Sequence, residues 1–199
     1  MQTAITHATP SPSLSGFTRT IPGKLILGLA ATAIIAAAAH IAIPLWFTPI
    51  PLTLQPLAVL GVGLAFGPVA GFFTLLAYLA EGLCGLPVFA PTGPGGFAQL
   101  LGPSGGFLMA YPLVAALAGY LAPALSTRLP RFLAASLACA AAITLLFLSG
   151  AAWLGHIAHL SAQQTFTAAV LPFLPGEAIK VLAAASIYTT LTRQSSSTN

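Results

Sequence analysis

Glu177 and Lys180 are the two charged residues of the stretch Leu174-Pro-Gly-Glu-Ala-Ile-Lys180, and they interrupt an apolar segment covering 170–191. A charge at the centre of a membrane helix costs roughly 2.5–3.5 kcal/mol on insertion scales, so such residues face a bundle interior and serve a function. Spaced i, i+3, the two share one helix face and can neutralise each other. The pair offers a carboxylate acceptor and an ammonium donor about one turn apart. A neutral group presenting N–H and C=O together, such as a urea or an amide, would satisfy both. Alternatively Lys180 takes a ligand carboxylate while Glu177 takes an N–H, and either contact gains from the charge on the protein side. The remaining reading is an ion pair that only holds helices together.

Catalytic chemistry finds no comparable constellation. There is no His-Glu-x-x-His, no Gly-x-Ser-x-Gly and no nucleotide-binding loop. His156 and His159 lie in a polar connector without a carboxylate nearby in sequence, and His40 reads as a hydrogen-bonded packing residue. Cys84 and Cys139 make no metal spacing and read as small buried hydrophobes. Neither an enzyme, a metal site nor a cofactor is expected. Without an ATP site the chain cannot power transport itself, so a pocket built on it would borrow a motor.

The elements that must position the pair are membrane helices. The 199 residues are 57% hydrophobic and 4% charged, too few charges to cover a soluble surface. The expected fold is an all-α membrane protein, six transmembrane helices in one compact bundle spanning 24–192, with a flexible tail at 1–23 and a second tail at 193–199. About 20 helical residues cross one hydrocarbon thickness. Apolar runs place the spans at 24–45, 53–66, 69–86, 107–125, 132–154 and 170–191. Prolines 44, 49 and 51 break the chain after the first span, and Gly67-Pro68 makes a tight turn between the second and third. The 87–106 stretch is too apolar for a solvent loop and too rich in Gly and Pro for a helix. It reads either as a connector or as irregular backbone lining a cavity, where glycine N–H groups could cradle an anion. The first span carries small residues, Ala33 and Ala37 among them, that let another helix approach closely. That face serves either packing within the chain or a partner.

Charge sets the expected orientation. With both termini cytoplasmic, Arg19, Lys24, Arg128, Arg131 and Arg193 are all on the inner side. This pattern explains the net charge of +4 without a nucleic-acid partner. Glu177, Lys180, the 44–51 break and the 87–106 loop then converge on the outer side, the layout of a site loaded from outside.

Four blocks in order carry a resemblance. They are Ile43-Pro-Leu-Trp-Phe-Thr-Pro-Ile-Pro-Leu-Thr-Leu-Gln55, Glu81-Gly-Leu-Cys-Gly-Leu-Pro-Val-Phe-Ala90, Leu101-Gly-Pro-Ser-Gly-Gly-Phe107 and Leu174-Pro-Gly-Glu-Ala-Ile-Lys180. With them the chain resembles the BioY family, the biotin-binding S component of energy-coupling factor transporters, from about residue 24 to 192. The resemblance implies a high-affinity vitamin-capture subunit in the cytoplasmic membrane of a prokaryote. It implies that a transmembrane coupling protein and two ATPase subunits complete the importer, with the Ala33 and Ala37 face docking the coupling protein. The family's Asp-x-x-Lys falls on Glu177 and Lys180, with Glu where Asp is usual. Biotin suits the pair through its ureido ring, and its carboxylate would meet either the loop amides, at Gly93, Gly95 and Gly96, or Lys180. Thr53, Gln55, Tyr78 and Tyr111 are further expected pocket contacts, and the 44–52 loop is the expected lid. The rival expectations are an S component for another vitamin and a stand-alone carrier.

Overall fold

The computed structural model describes residues 20–197, so residues 1–19 of the expected tail at 1–23, with Arg19, lie outside the described residues. The fold is helical. The first helix, α1 (Ile21–His40), is capped by the Thr20 hydroxyl, which accepts from Gly23 N at 3.2 Å, and carries Pro22 in its first turn. It therefore starts before the expected 24. It also stops short of the expected 45, because Pro44 disfavours helical backbone at Ile43. His40 is hydrogen-bonded as expected, its Nδ1 2.8 Å from Ala36 O, but it is exposed at the helix end rather than packed. A small antiparallel hairpin follows, β1 (Ala42–Ile43) paired with β2 (Leu52–Thr53), Ala42 opposite Thr53 and Ile43 opposite Leu52.

The next element, α2 (Gln55–Leu83), is continuous only in name. Gly67 has φ 77 and ψ −178, backbone that only glycine adopts without strain. Pro68 follows it and cannot donate to the preceding turn. The chain reverses there: Gln55 Nε2 donates to the Tyr78 hydroxyl at 2.7 Å. In one straight helix those residues would stand about 35 Å apart. α2 is thus two antiparallel arms, 55–66 and 68–83.

After α2 come α3 (Gly96–Leu101), α4 (Gly105–Ser126), α5 (Arg131–Ile157), α6 (Ala162–Ala169) and α7 (Leu174–Ser197). Two of these depart from expectation. The 87–106 stretch contains α3, entered through left-handed Gly95 and Gly96 (φ 72 and 59) and built from Phe-Ala-Gln-Leu-Leu. The polar connector before the last span contains α6, opened by a capping box between Ser161 and Gln164. The last long helix therefore begins at Leu174, not 170. It runs on to Ser197, through residues expected as tail. Four described helices are long and apolar enough to cross a membrane, or five if α6 and α7, bent by 52°, count as one span.

Close backbone approach holds the centre together. A Cβ at Gly63 would fall on the backbone of Ala115, and one at Gly119 on Gly63 O and the Gly67-Pro68 turn. Both arms of α2 can thus sit directly on α4, as in small-residue membrane packing. The core around them includes Leu60, Leu75, Val114, Cys139 and Leu154, all essentially inaccessible. Cys139 is buried as expected, but Cys84 is exposed where α2 ends.

Candidate functional site

The start of α7 positions the charged pair. Leu174-Pro-Gly opens the helix with proline in its first turn, a favoured place because its missing N–H is not needed there. Gly176 lies against the β1–β2 hairpin, where a Cβ would stand 3.3 Å from Leu52 Cδ1. Glu177 falls in the first turn, where the helix dipole favours a carboxylate. Its Oε1 accepts from Lys180 Nζ at 2.6 Å, and both side chains are more than nine-tenths buried. Its other oxygen, Oε2, is the one buried side-chain polar atom without a hydrogen-bond partner among the described residues. Leaving a buried charged oxygen unmatched is costly, and such groups stand out in native structures.

Glu177 lines a cavity of about 50 Å³. The hairpin contributes Ile50, Pro51 and Thr53; α2 contributes Gln55 and Pro56; α4 contributes Phe107, Leu108 and Tyr111; α5 contributes Leu146 and Phe147. Ala90, Gln99, Ser104 and Phe173 complete the wall. The lining is mostly apolar with a few convergent polar groups, the composition of a small-molecule site. Its volume is well below the roughly 300–1,000 Å³ of such pockets, so a ligand must displace part of the wall. The hairpin forms one side of that wall. Thr48 in its loop donates to Ala168 O at 2.7 Å, latching it to α6.

Of the sequence-predicted residues, Glu177, Thr53, Gln55 and Tyr111 meet at this cavity. Lys180 does not line it; it stands behind Glu177 and holds one carboxylate oxygen. Tyr78 is fully buried outside the lining and acts on it through Gln55, while donating to Val88 O at 2.7 Å. Gly93, Gly95 and Gly96 are also outside the lining. The Gly95 N–H donates instead to Gln99 Oε1 at 3.1 Å, and Gln99 Nε2 donates to Ala90 O at 3.2 Å. A Cβ at Gly93 would stand 2.8 Å from Gln99 Cδ, so that glycine makes room for the amide. Gln99 is thus a residue that the sequence reading missed. Its signal was a lone amide side chain among Gly, Pro and apolar neighbours. Ser104 and the phenylalanines were missed as well. Ala33 and Ala37 are both exposed on α1.

Comparison with known proteins places this geometry. The model of the BioY family matches residues 9–197. The chain belongs to the BioY family. Among BioY relatives, a probable biotin transporter of Pyrococcus horikoshii is 34% identical over 139 residues, covering 70% of this chain and 78% of that one. A biotin transporter of Lactococcus lactis is 32% identical over 154 residues, covering 76% and 80%. One from Rhodobacter capsulatus is 34% identical over 166 residues, covering 79% and 86%. The crystal structure of the S-component for biotin from an ECF-type ABC transporter superposes with a TM-score of 0.78 at 28% identity, covering 85% of this chain and 90% of that one. The BioY family is a family of transporter components, not of enzymes.

Proposed function

We propose that this chain is the biotin-capture subunit of an energy-coupling factor importer. The observation that carries the reading is Glu177 Oε2, an unpartnered acceptor on an apolar cavity. Biotin supplies what that atom lacks. A ureido N–H donates to Oε2 while Lys180 keeps Oε1 and the carboxylate's orientation. The fused rings and valeryl chain lie along Phe107, Leu146 and Phe147. Thr53 and Ser104, both on the lining, are the hydroxyl donors for the biotin carboxylate. The glycine amides are a weaker choice, since Gly95 already donates to Gln99.

The bundle crosses the membrane of a prokaryotic cell six times, the two arms of α2 counting separately and α6 with α7 forming the last crossing. Both termini are cytoplasmic, which keeps Lys24, Arg128, Arg131 and Arg193 inside. The transmembrane domain covers 24–192 and takes in the helical ends beyond them, at Ile21 and Ser197. A coupling protein docks on the exposed Ala33 and Ala37 face of α1 and connects the subunit to two ATPases. Capture then needs the hairpin to open and release to be driven by the docked module.

The test is equilibrium binding of labelled biotin to the purified chain, wild type beside Glu177→Gln. Loss of one partner from a desolvated charged contact costs about 2–5 kcal/mol, so affinity should fall by about 30- to 5,000-fold. Unlabelled vitamins other than biotin should not compete. Competition by another vitamin would reassign the ligand, and unchanged affinity in Glu177→Gln would move the site elsewhere.

A further inference from the structure

A second and larger void shares no residue with the Glu177 cavity. It is a groove of about 720 Å³ between α1, the first arm of α2 and α7. Leu27 and Ile34, Gly61 and Phe66, and Ile187 and Tyr188 stand on its three walls. An apolar void does not hold water stably, so at membrane depth its occupant is apolar too.

Two features select that occupant. The first is length. On α1 the wall runs from Leu27 to Ala38, a rise of about 16 Å at 1.5 Å per residue. One leaflet of hydrocarbon is about 15 Å, half of the roughly 30 Å core. A neighbouring membrane helix would cross both leaflets and need a groove about twice as long. The second is polarity. The end at Leu27 has Thr192 and Tyr188 on its wall, and the exposed Lys24 lies one turn beyond Leu27 on the same side of α1. The far end is closed by Ala38, Leu54 and Leu57, with no charged residue. Neither carboxylate of the chain lines the groove.

We propose that this groove holds one acyl chain of a phospholipid from the leaflet nearest Lys24, with the lipid phosphate at the Lys24 ammonium. The inference is independent of the biotin reading. Ala33 and Ala37 are not on its wall, so the lipid borders the proposed docking face without covering it.

The experiment uses the full chain in phosphatidylcholine vesicles doped with phosphatidylglycerol that carries a diazirine in one tail. After photolysis, adducts are mapped by peptide mass spectrometry. They should concentrate on the groove walls of α2 and α7, relative to the exposed Leu137 and Leu148 of α5. A Cβ at Gly61 meets nothing within 4 Å, so Gly61→Leu fills the groove without touching the backbone packing. It should lower groove labelling by about tenfold, the loss when roughly two methylenes of tail no longer fit. Ala65→Leu, at an exposed wall position, should do the same and serves if the first variant fails to fold. Lys24→Gln should weaken labelling through the phosphate alone. Adducts spread evenly over α5 and the groove, and unmoved by either leucine, would reduce the groove to ordinary lipid contact and overturn the proposal. Chain-to-chain adducts there would assign the groove to a second copy and overturn it equally. Unchanged labelling in Lys24→Gln would overturn the phosphate contact.

Discussion

The Tyr78 hydroxyl accepts from Gln55 Nε2 and donates to Val88 O, both at 2.7 Å. One atom thus joins the first arm of α2, the second arm and the segment that follows it. Tyr78→Phe leaves a buried donor and a carbonyl unmatched and should cost about 2 kcal/mol. Gln55→Leu removes only one bond, because Tyr78 keeps Val88, and should cost about half as much. Thermal unfolding of the two variants in detergent gives the order. A larger loss in Gln55→Leu would mean the hydroxyl is not the hub.

The latch between Thr48 and Ala168 makes a kinetic prediction. The proposed opening of the hairpin would break the 2.7 Å hydrogen bond from Thr48 to Ala168. Thr48→Val keeps the shape and removes the donor, which is worth about 1 kcal/mol. Biotin should then exchange about fivefold faster. Stopped-flow displacement of a fluorescent biotin measures it. A rate equal to wild type would show that the wall opens elsewhere.

α1 has one side-chain hydrogen bond to another helix among the described contacts, from Thr32 Oγ1 to Glu81 Oε1 at 2.9 Å. Thr32 is buried, and Ala33 and Ala37 point off a different side of the helix. The bond therefore fixes the rotation at which α1 presents them. Thr32→Val should leave biotin affinity within about twofold, since Thr32 is not on the cavity. It should weaken assembly with the coupling module by about 1 kcal/mol, about fivefold. Co-purification titrated with the module reads the second effect. Loss of biotin affinity instead would place Thr32 in the site's support.

The turn at Gly67 separates backbone from packing. Its φ of 77 with extended ψ belongs to a glycine-only region, so Gly67→Ala should cost about 1–3 kcal/mol although no atom lies within 4 Å of the new Cβ. Gly28→Ala on α1 meets equally open space at helical φ and should be neutral or stabilise by about 0.5–1 kcal/mol. Denaturant or heat curves for the pair decide it. Equal stability would mean the hairpin of α2 survives without glycine at its apex.

These contacts mark what the sequence made legible. Charges in an apolar background are rare enough to read singly, so Glu177 stood out, and the break at Gly67-Pro68 was visible from two residues of special backbone. The blocks around 43–55, 81–90, 101–107 and 174–180 pointed to the BioY family, which the comparisons show. Short helices were not legible. α3 opens through two positive-φ glycines, Gly95 and Gly96, that read as loop, and α6 rests on a capping box inside a polar segment. The division of labour between Glu177 and Lys180 was hidden too. Spacing puts both on one face of α7, but only the packing of α4 and α5 around that face decides which one reaches the cavity. Gln99 escaped because its role is set by Ala90 and Gly95, which become neighbours only once the segment folds.

That division of labour yields the most discriminating prediction. Lys180 Nζ lies 2.6 Å from Glu177 Oε1, and both groups are buried. Removing one member of a buried pair leaves an uncompensated charge and costs about 3–5 kcal/mol, while replacing both is often close to neutral. Glu177→Gln and Lys180→Met should each lower the unfolding temperature, and the double variant should recover most of the loss. Biotin binding should not follow stability. The double variant still lacks the carboxylate oxygen proposed to take the ureido N–H, so its affinity should stay as low as that of Glu177→Gln. If the pair only braces α7, restoring stability would restore binding as well. Melting curves and labelled-biotin isotherms on the same four proteins separate the two cases, because only a ligand-contacting carboxylate leaves a stable chain that does not bind.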